Sequence, residues 1–378
     1  MTNKIKIGVI FGGRSGEHEV SVRSANTVIE QIDKDKYTVV PIAIDKTGKW
    51  LAPAEAAALL SAATQEFLRD SVAHDATDSI ALIGDPTYQG LTKMTAKDGE
   101  SQSEKLDVVF PVLHGTYGED GTIQGLFEMA GIPYIGCGVL ASSCGMDKVT
   151  MKILFREAGL PMCKYTWFLR GDFEREPQKF LDIISSGLGF PVFVKPANLG
   201  SSVGISRADD EASLKTAIEL AAKYDRKIIV EEGLDAREIE VAVMGNDQPE
   251  ASLPGEYIIF DQTAKFLDYE EKYKGTGHNE FRVPAPLSDE LTAQVRRFAQ
   301  SAFKAVDGAG LARVDFFVRR DSNELLINEI NTLPGLTEVS GFPKMWAATG
   351  KPFAQVIDEL VGFAIERHRD KARNQTSL

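Results

Sequence analysis

Asp315, Glu329 and Asn331 are the residues of this 378-residue chain whose types and spacing point most directly to chemistry. They sit on two apolar runs, LARVDFFV and ELLINEIN, joined by RRDSN. If the joint turns near Ser322, Asp315 falls opposite Glu329, and Glu329 and Asn331 share a face because side chains alternate along a strand. Hard cations such as Mg²⁺ take oxygen ligands, commonly one or two carboxylates plus substrate phosphates. The alternative is a solvated hairpin face, the usual place for Asp and Glu. Val314, Phe316, Phe317, Leu325, Leu326, Ile327 and Ile330 crowd the same strands and weigh against it. On this pattern alone the two readings stand level.

Lysines beside glycine turns are the second feature. Lys195 ends the run FPVFVKP, and the following GSSVG can offer a phosphate several backbone N–H groups plus the hydroxyls of Ser201 and Ser202. The spacing is not G-x-x-x-x-G-K-[ST], which excludes a P-loop. Lys148 opens a helical pattern after a strand-rich region. A single lysine is ordinarily a solvated charge; two beside such turns, with a candidate Mg²⁺ site, point to a nucleoside triphosphate. GGRSGEHEVS places Glu17 at a helix start, where a carboxylate binds a cationic amine or, more simply, caps the helix. It lacks G-x-G-x-x-G, against a dinucleotide site. In HGTYGEDG, His114 could order a substrate, act as a base, or be an ordinary turn histidine. DYEEKY (268–273), taken alone, is a solvated connection.

Composition bounds these readings. Lys plus Arg number 42 against 55 Asp plus Glu, a net charge of −13 that argues against non-specific nucleic-acid binding. Three cysteines without C-x-x-C spacing imply neither a disulfide framework nor a zinc site, which suits a reducing cytoplasm. The apolar run 7–11 is too short for a signal-peptide core. The longest uncharged stretch, 129–146, is rich in glycine and reads as strand, turns and loop, so no membrane partner is expected.

These residues need elements to hold them. KIKIGVIF (4–11) reads as a buried strand, apolar residues from Ser21 recur at helical spacing, and TVVPIAID (38–45) is a second strand, an α/β opening with its glycine turn at a helix N-terminus. Residues 52–104 read as an Ala-rich helix and surface embellishment. LDVVFPVLHG is a buried strand, TIQGLFEMAGIPYIG helix then strand, and MDKVTMKILFREAG a helix closed by Gly159. A second module starts near 137, with strands at 190–196 and 227–234 around a helix. Residues 238–242 alternate like a half-exposed strand, 268–280 form a long loop, and the chain ends in an amphipathic helix.

In order along the chain, GGRSGEHEVS, HGTYGEDGTIQG, GCGVLASSCGMDK, VKPANLGSSVG, DYEEKY, GLARVDFF and NEINTLPGLT resemble the D-alanine–D-alanine ligases of the ATP-grasp superfamily. One such motif is weak; seven in register are specific, and they run from residue 4 to the final helix with 52–104 matched poorly. The resemblance implies a mixed α/β fold of three domains: 1–136 around a doubly wound parallel sheet, 137–235, and 236–378 with a mobile loop at 268–280. It implies ATP gripped between the latter two, with Mg²⁺ (two ions, Mn²⁺ as a substitute), and ligation of two D-alanines for peptidoglycan synthesis in a cytoplasmic homodimer. By motif position, Lys148 and Lys195 resemble the lysines on the α- and β-phosphates and Lys272 the one reaching the γ-phosphate. Ser202 belongs to the phosphate turn; Glu231, Glu232 and Leu234 occupy the adenine-binding strand end, with Glu232 where a lysine is common, and Glu238 the ribose position. Asp315, Glu329 and Asn331 match the Mg²⁺ ligands. Arg313 and the Gly335 main chain match groups on the carboxylate and transferring phosphoryl, and Glu17 the carboxylate that binds the first D-alanine's ammonium, beside His114. Ser201 and Tyr273 match its hydrogen-bonded partners that tie the loop shut, and Ser340 a contact to the second D-alanine's carboxylate. Gly341 stands where a bulkier apolar residue is common. Tyr273→Phe is expected to weaken dipeptide synthesis.

Another ATP-grasp ligase, with D-lactate as acceptor, is the nearest rival reading. A non-catalytic nucleotide-binding protein is a further one, opposed by the joint presence of phosphate lysines, metal ligands and substrate carboxylate. An NAD-dependent dehydrogenase is disfavoured by the missing fingerprint.

Overall fold

A computed structural model describes residues 4–69, 79–94, 103–200, 203–259 and 279–375. Ile5–Gly12 is the hub of the first sheet because its apolar residues are buried on both faces. It pairs in parallel with Tyr37–Ile44 on one side and Val108–Pro111 on the other, and Trp50–Leu51 adds an antiparallel edge. The helix His18–Gln31 lays Ala25, Val28 and Ile29 against Ile7, Val9 and Phe11. Thr122–Ala130 covers the other face, packing Phe127 and Ala130 with Ile10 and Ile42. The sheet is therefore doubly wound.

The second sheet is antiparallel, in the order Ser206–Ala208, Val192–Pro196, Lys227–Glu232, Tyr165–Leu169. Pro177–Gly187 and Glu211–Ala221 bury Leu181, Ile184, Leu214 and Ile218 against it. The third, also antiparallel, runs Asn279–Arg282, Gly255–Ile259, Ala236–Gly245, Gly310–Arg319, Leu325–Asn331. Its apolar face takes Val295, Ala299 and Phe303 from Asp289–Ala305, which leaves the opposite face for polar work. Apolar residues 356, 357, 360, 361 and 364 of Phe353–Lys371 form a stripe buried in the core of the first sheet. The chain's end thus returns to its beginning, tied by ion pairs Lys36–Asp358 at 2.5 Å and Lys371–Glu128 at 2.6 Å.

The local pattern misjudged four segments. The glycine-rich stretch 129–146, read as strand, turns and loop, contains the helix Val139–Met146. The strand expected after Thr122–Ala130 is a lone bridge from Tyr134 to Val109. Of residues 238–242, read as a half-exposed strand, only Glu238 is partly exposed and 239–242 are buried, because the sheet's two faces carry the core and the cleft. Residues 52–104 hold two short helices, Pro53–Ala58 and Ala62–Leu68, and a small antiparallel sheet of Ser79–Leu82, Gly90–Met94 and Ser103–Lys105. Among the described residues no helix is long and apolar enough to cross a membrane.

Candidate active site

The polar face of the third sheet forms the floor of a cleft. Its register sets Glu240 opposite Asp315 and Asp315 opposite Glu329, a row of carboxylates across three strands, with Arg313 and Asn331 paired in the next row. The pairing of Asp315 with Glu329 is the one that a turn near Ser322 predicts. Beyond it the register slips, Phe316 pairing with Ile327, so Asn328 is the extra residue of a bulge. A bulge turns neighbouring side chains toward one side, and both Asn328 and Glu329 line the cleft. The solvated-hairpin reading fails: the Asp315 side chain is 13% exposed.

Arg313 forks onto Asp315 at 2.7 and 2.6 Å and lies 3.4 Å from Glu240. Burial opposes its charge, but the two carboxylates raise its pKa well above the usual guanidinium value. Asn331 Nδ2 donates to Asp315 Oδ2 at 3.1 Å. Among the described residues no three His, Cys, Asp or Glu side chains gather as a metal cage. Two carboxylates and an amide, with Asp315 already braced by Arg313 and Asn331, are a donor set that fits Mg²⁺ completed by phosphate oxygens and water.

The cations face this floor. Asp147 caps the helix Lys148–Glu157 by accepting from Val149 N at 3.1 Å and Thr150 N at 2.9 Å, which fixes the base of Lys148. Lys148 Nζ donates to Leu199 O at 3.0 Å and lies 3.6 Å from Glu329. Lys195, near the end of Val192–Pro196, is buried to 8% exposure and pairs with Glu231 at 2.6 Å. Burial works against its charge, but Glu231 and Glu329 keep its pKa raised. Glu231 is also clasped by Lys152 at 2.8 Å. Burial would raise its pKa, yet the two ammoniums hold it far below the usual carboxylate range.

At the other wall, Glu17 occupies the residue before His18–Gln31 but makes no capping bond through its side chain, which lines the cleft instead. The capping reading is thereby set aside. A Cβ on Gly115 (φ +77) would come within 2.7 Å of Glu17 Oε2, so glycine is what lets the HGTYG turn approach. His114 is buried, with Nε2 3.0 Å from Ser24 Oγ, Nδ1 3.3 Å from Leu333 O, and Glu119 Oε1 3.7 Å from Nδ1. Burial disfavours its imidazolium, but Glu119 and Glu17 prevail and raise its pKa. It is no ordinary turn histidine.

Ser340 precedes the helix Gly341–Ala348, whose first turn opens on the cleft, and its Oγ lies 2.7 Å from Thr337 Oγ1. A Cβ on Gly341 would meet Glu240 Oε2 at 2.7 Å and Phe281 Cζ at 2.8 Å. The room for a bulkier residue is already taken by those two.

Glu17, His114, Lys148, Lys195, Glu238, Arg313, Glu329, Asn331, Gly335 and Ser340 thus line one cleft, with Asp315 bonded to two of them. Glu231, Glu232 and Leu234 do not line it. Glu231 is engaged by the two lysines, while Glu232 accepts from Lys164 N at 2.8 Å and Arg319 at 3.2 Å. Ser201, Ser202, Lys272, Tyr273 and most of the 268–280 loop lie outside the described residues. Sequence reasoning missed Lys152, Glu240 and Asn328. Glu240 was legible in the alternation with Glu238; Lys152 and Asn328 carry no local signal.

The comparisons agree across the chain. Residues 6–137 match the model of the D-ala D-ala ligase N-terminus and 154–362 that of the C-terminus. The chain is 45% identical over 373 residues to the D-alanine–D-alanine ligase of Heliobacterium modesticaldum, covering 99% of this chain and 98% of that protein. It is 42% identical to that of Natranaerobius thermophilus, covering 99% of each. Among solved structures, the D-alanine–D-alanine ligase of Coxiella burnetii superposes with a TM-score of 0.78 at 33% identity, covering 98% of both chains. The VanG D-Ala:D-Ser ligase of Enterococcus faecalis superposes at 0.81 and 34%, covering 96% of this chain and 100% of that one. With both halves matched and relatives aligned nearly end to end, this chain belongs to the D-alanine–D-alanine ligase family.

Proposed function

We propose that the cleft joins two D-alanines through D-alanyl phosphate, consuming ATP, with the residues in the following roles. Lys148 and Lys195 brace the α- and β-phosphates, and Lys272, with the backbone around Ser202, completes the grip. Asp315, Glu329 and Asn331 hold Mg²⁺, as two ions that Mn²⁺ can replace. Bound Mg²⁺ supplies neutralisation of phosphate charge, which dominates catalysis of phosphoryl transfer. The side chains of Glu231 and Glu232 are engaged elsewhere, so adenine is met by the main chain from 231 to Leu234, where glutamate in place of lysine at 232 does no harm. Glu238 takes the ribose.

Glu17 receives the ammonium of the first D-alanine, and His114 keeps that wall in place. The substrate carboxylate attacks the γ-phosphate while Arg313 and the Gly335 main chain hold the oxygens on which charge develops. The second D-alanine binds with its carboxylate at Ser340 and at the positive end of Gly341–Ala348. Its amine loses a proton, attacks the acyl carbon and expels phosphate. Ser201 and Tyr273 tie the 268–280 loop across the site, because an acyl phosphate hydrolyses in water. In this reading the domains are 1–136, 137–235 and 236–378, and the enzyme is a cytoplasmic homodimer.

One observation carries these assignments: the carboxylate row of the third sheet, Lys195 from the second and Lys148 from the start of Lys148–Glu157 gather at the same cleft as Glu17. The test is ADP release from Mg-ATP with D-alanine, L-alanine, D-serine, D-lactate or no acceptor. Release with D-alanine accompanied by the dipeptide supports the reading. Faster turnover with D-lactate or D-serine than with D-alanine as acceptor overturns the choice of second substrate.

A further inference from the structure

Lys152 has no part in the roles above, yet it is the most deeply buried cation of the region, at 1% exposure. It projects from Lys148–Glu157, one turn beyond Lys148. Its Nζ lies 2.8 Å from Glu231 Oε1 and donates to Asn328 O at 3.4 Å, while Glu231 Oε2 accepts from Lys195 at 2.6 Å. The helix is further stitched to Leu325–Asn331 where Ile330 N meets Met151 Sδ at 3.3 Å. Lys152 therefore touches both halves of the cleft: Glu231 on Lys227–Glu232, the carboxylate that also holds Lys195, and the bulge that presents Glu329.

Charge decides what this contact does. Lys195 and Glu231 alone would be a neutral pair, with the lysine's charge spent inside the protein. Lys152 brings the buried trio to a net charge of +1 and places the surplus beside the cleft that Lys195 lines. Removing one member of a buried pair leaves its partner uncompensated, whereas removing both is tolerated far better.

We infer that Lys152 is a positioning residue for the triphosphate: its charge offsets that of Glu231, so that Lys195 remains an available cation, and it pins the Asn328 bulge that aims Glu329. The inference rests on the nucleotide reading of this cleft, and the experiment separates the two. Wild-type protein is titrated calorimetrically with adenosine, ADP and ATP in Mg²⁺, then Lys152→Met, Glu231→Gln and the double variant, with circular dichroism confirming folding. Absence of ATP binding to the wild type sinks the nucleotide reading itself. If the wild type binds, Lys152→Met weakens ATP by about tenfold or more, the scale of one charge-assisted contact, and ADP by less. Adenosine binding stays unchanged. The double variant restores the net charge and recovers most of the affinity, which loss of packing would not allow. Equal losses for adenosine and ATP, or wild-type ATP affinity in Lys152→Met, overturn the inference. Should Lys152→Met fail to fold, the double variant decides alone: ATP affinity within about threefold of wild type supports the charge account, and a tenfold loss refutes it.

Discussion

Replacing Gly341 by alanine tests the wall of the second-substrate pocket with a single added carbon. That carbon would sit 2.7 Å from Glu240 Oε2 and 2.8 Å from Phe281 Cζ, where ordinary contacts begin at 3.4 Å. Both contacts fall short by more than half an ångström, so the two neighbours have to give or the helix start has to shift. Phe281 has little room, since its ring also lies against Gly255 and packs on Tyr257 with centroids 4.6 Å apart. Glu240, the more flexible of the two, moves further and leaves the ring contact strained, and it is one of the two carboxylates holding Arg313. Overpacking of a closed site costs about 1–3 kcal/mol, and the better helix propensity of alanine returns less than about 1 kcal/mol. The net loss is about 1–2 kcal/mol. Urea denaturation reads the stability term, and steady-state kinetics at saturating ATP read the pocket. That loss lowers the folded-to-unfolded ratio roughly 5- to 30-fold, and the displaced Glu240 should also raise KM for the second D-alanine while leaving KM for ATP unchanged. Adding Phe281→Leu makes room and recovers part of the loss, as expected for side chains in contact. Wild-type kinetics and stability for Gly341→Ala, or a double variant no better than the single, would refute the reasoning.

Three further outcomes follow from the geometry. Asp147→Ala removes the cap of Lys148–Glu157 and the partner of Lys227; it should cost about 1–2 kcal/mol in urea denaturation and raise KM for ATP by freeing the base of Lys148. His114 has a raised pKa, so its stabilisation is complete below the unfolded imidazole value of about 6.5 and is lost as pH rises through the folded value. Urea midpoints of the wild type should therefore fall in that window, and His114→Gln should flatten the decline; parallel curves would count against an imidazolium held by Glu119 and Glu17. Gly362, exposed within Phe353–Lys371, has no heavy atom within 4 Å of an added Cβ. Gly362→Ala should stabilise by about 0.5–1 kcal/mol without altering kinetics, and a loss of stability would refute the open surroundings of that position.

Much of this protein was readable along the chain because the information is local. The hairpin from Gly310 to Asn331 fixes its own register through its turn, so the meeting of Asp315 with Glu329 follows from counting residues. The helices His18–Gln31, Lys148–Glu157 and Phe353–Lys371 follow from apolar periodicity and end signals, and the ordered glycine motifs carry the family. What the chain could not reveal depends on partners far away in sequence. Lys152 reads as one more solvated lysine until Glu231 and the Asn328 carbonyl close over it. Glu17 reads as a cap until Gly115 and the cleft claim its carboxylate. The space beside Gly341 is empty in any one-dimensional reading, and only packing shows it filled by Phe281 and Glu240. Strand and helix are set by interactions over a few residues, whereas burial, and with it the charge state and reach of a side chain, is decided by which distant surfaces exclude water together.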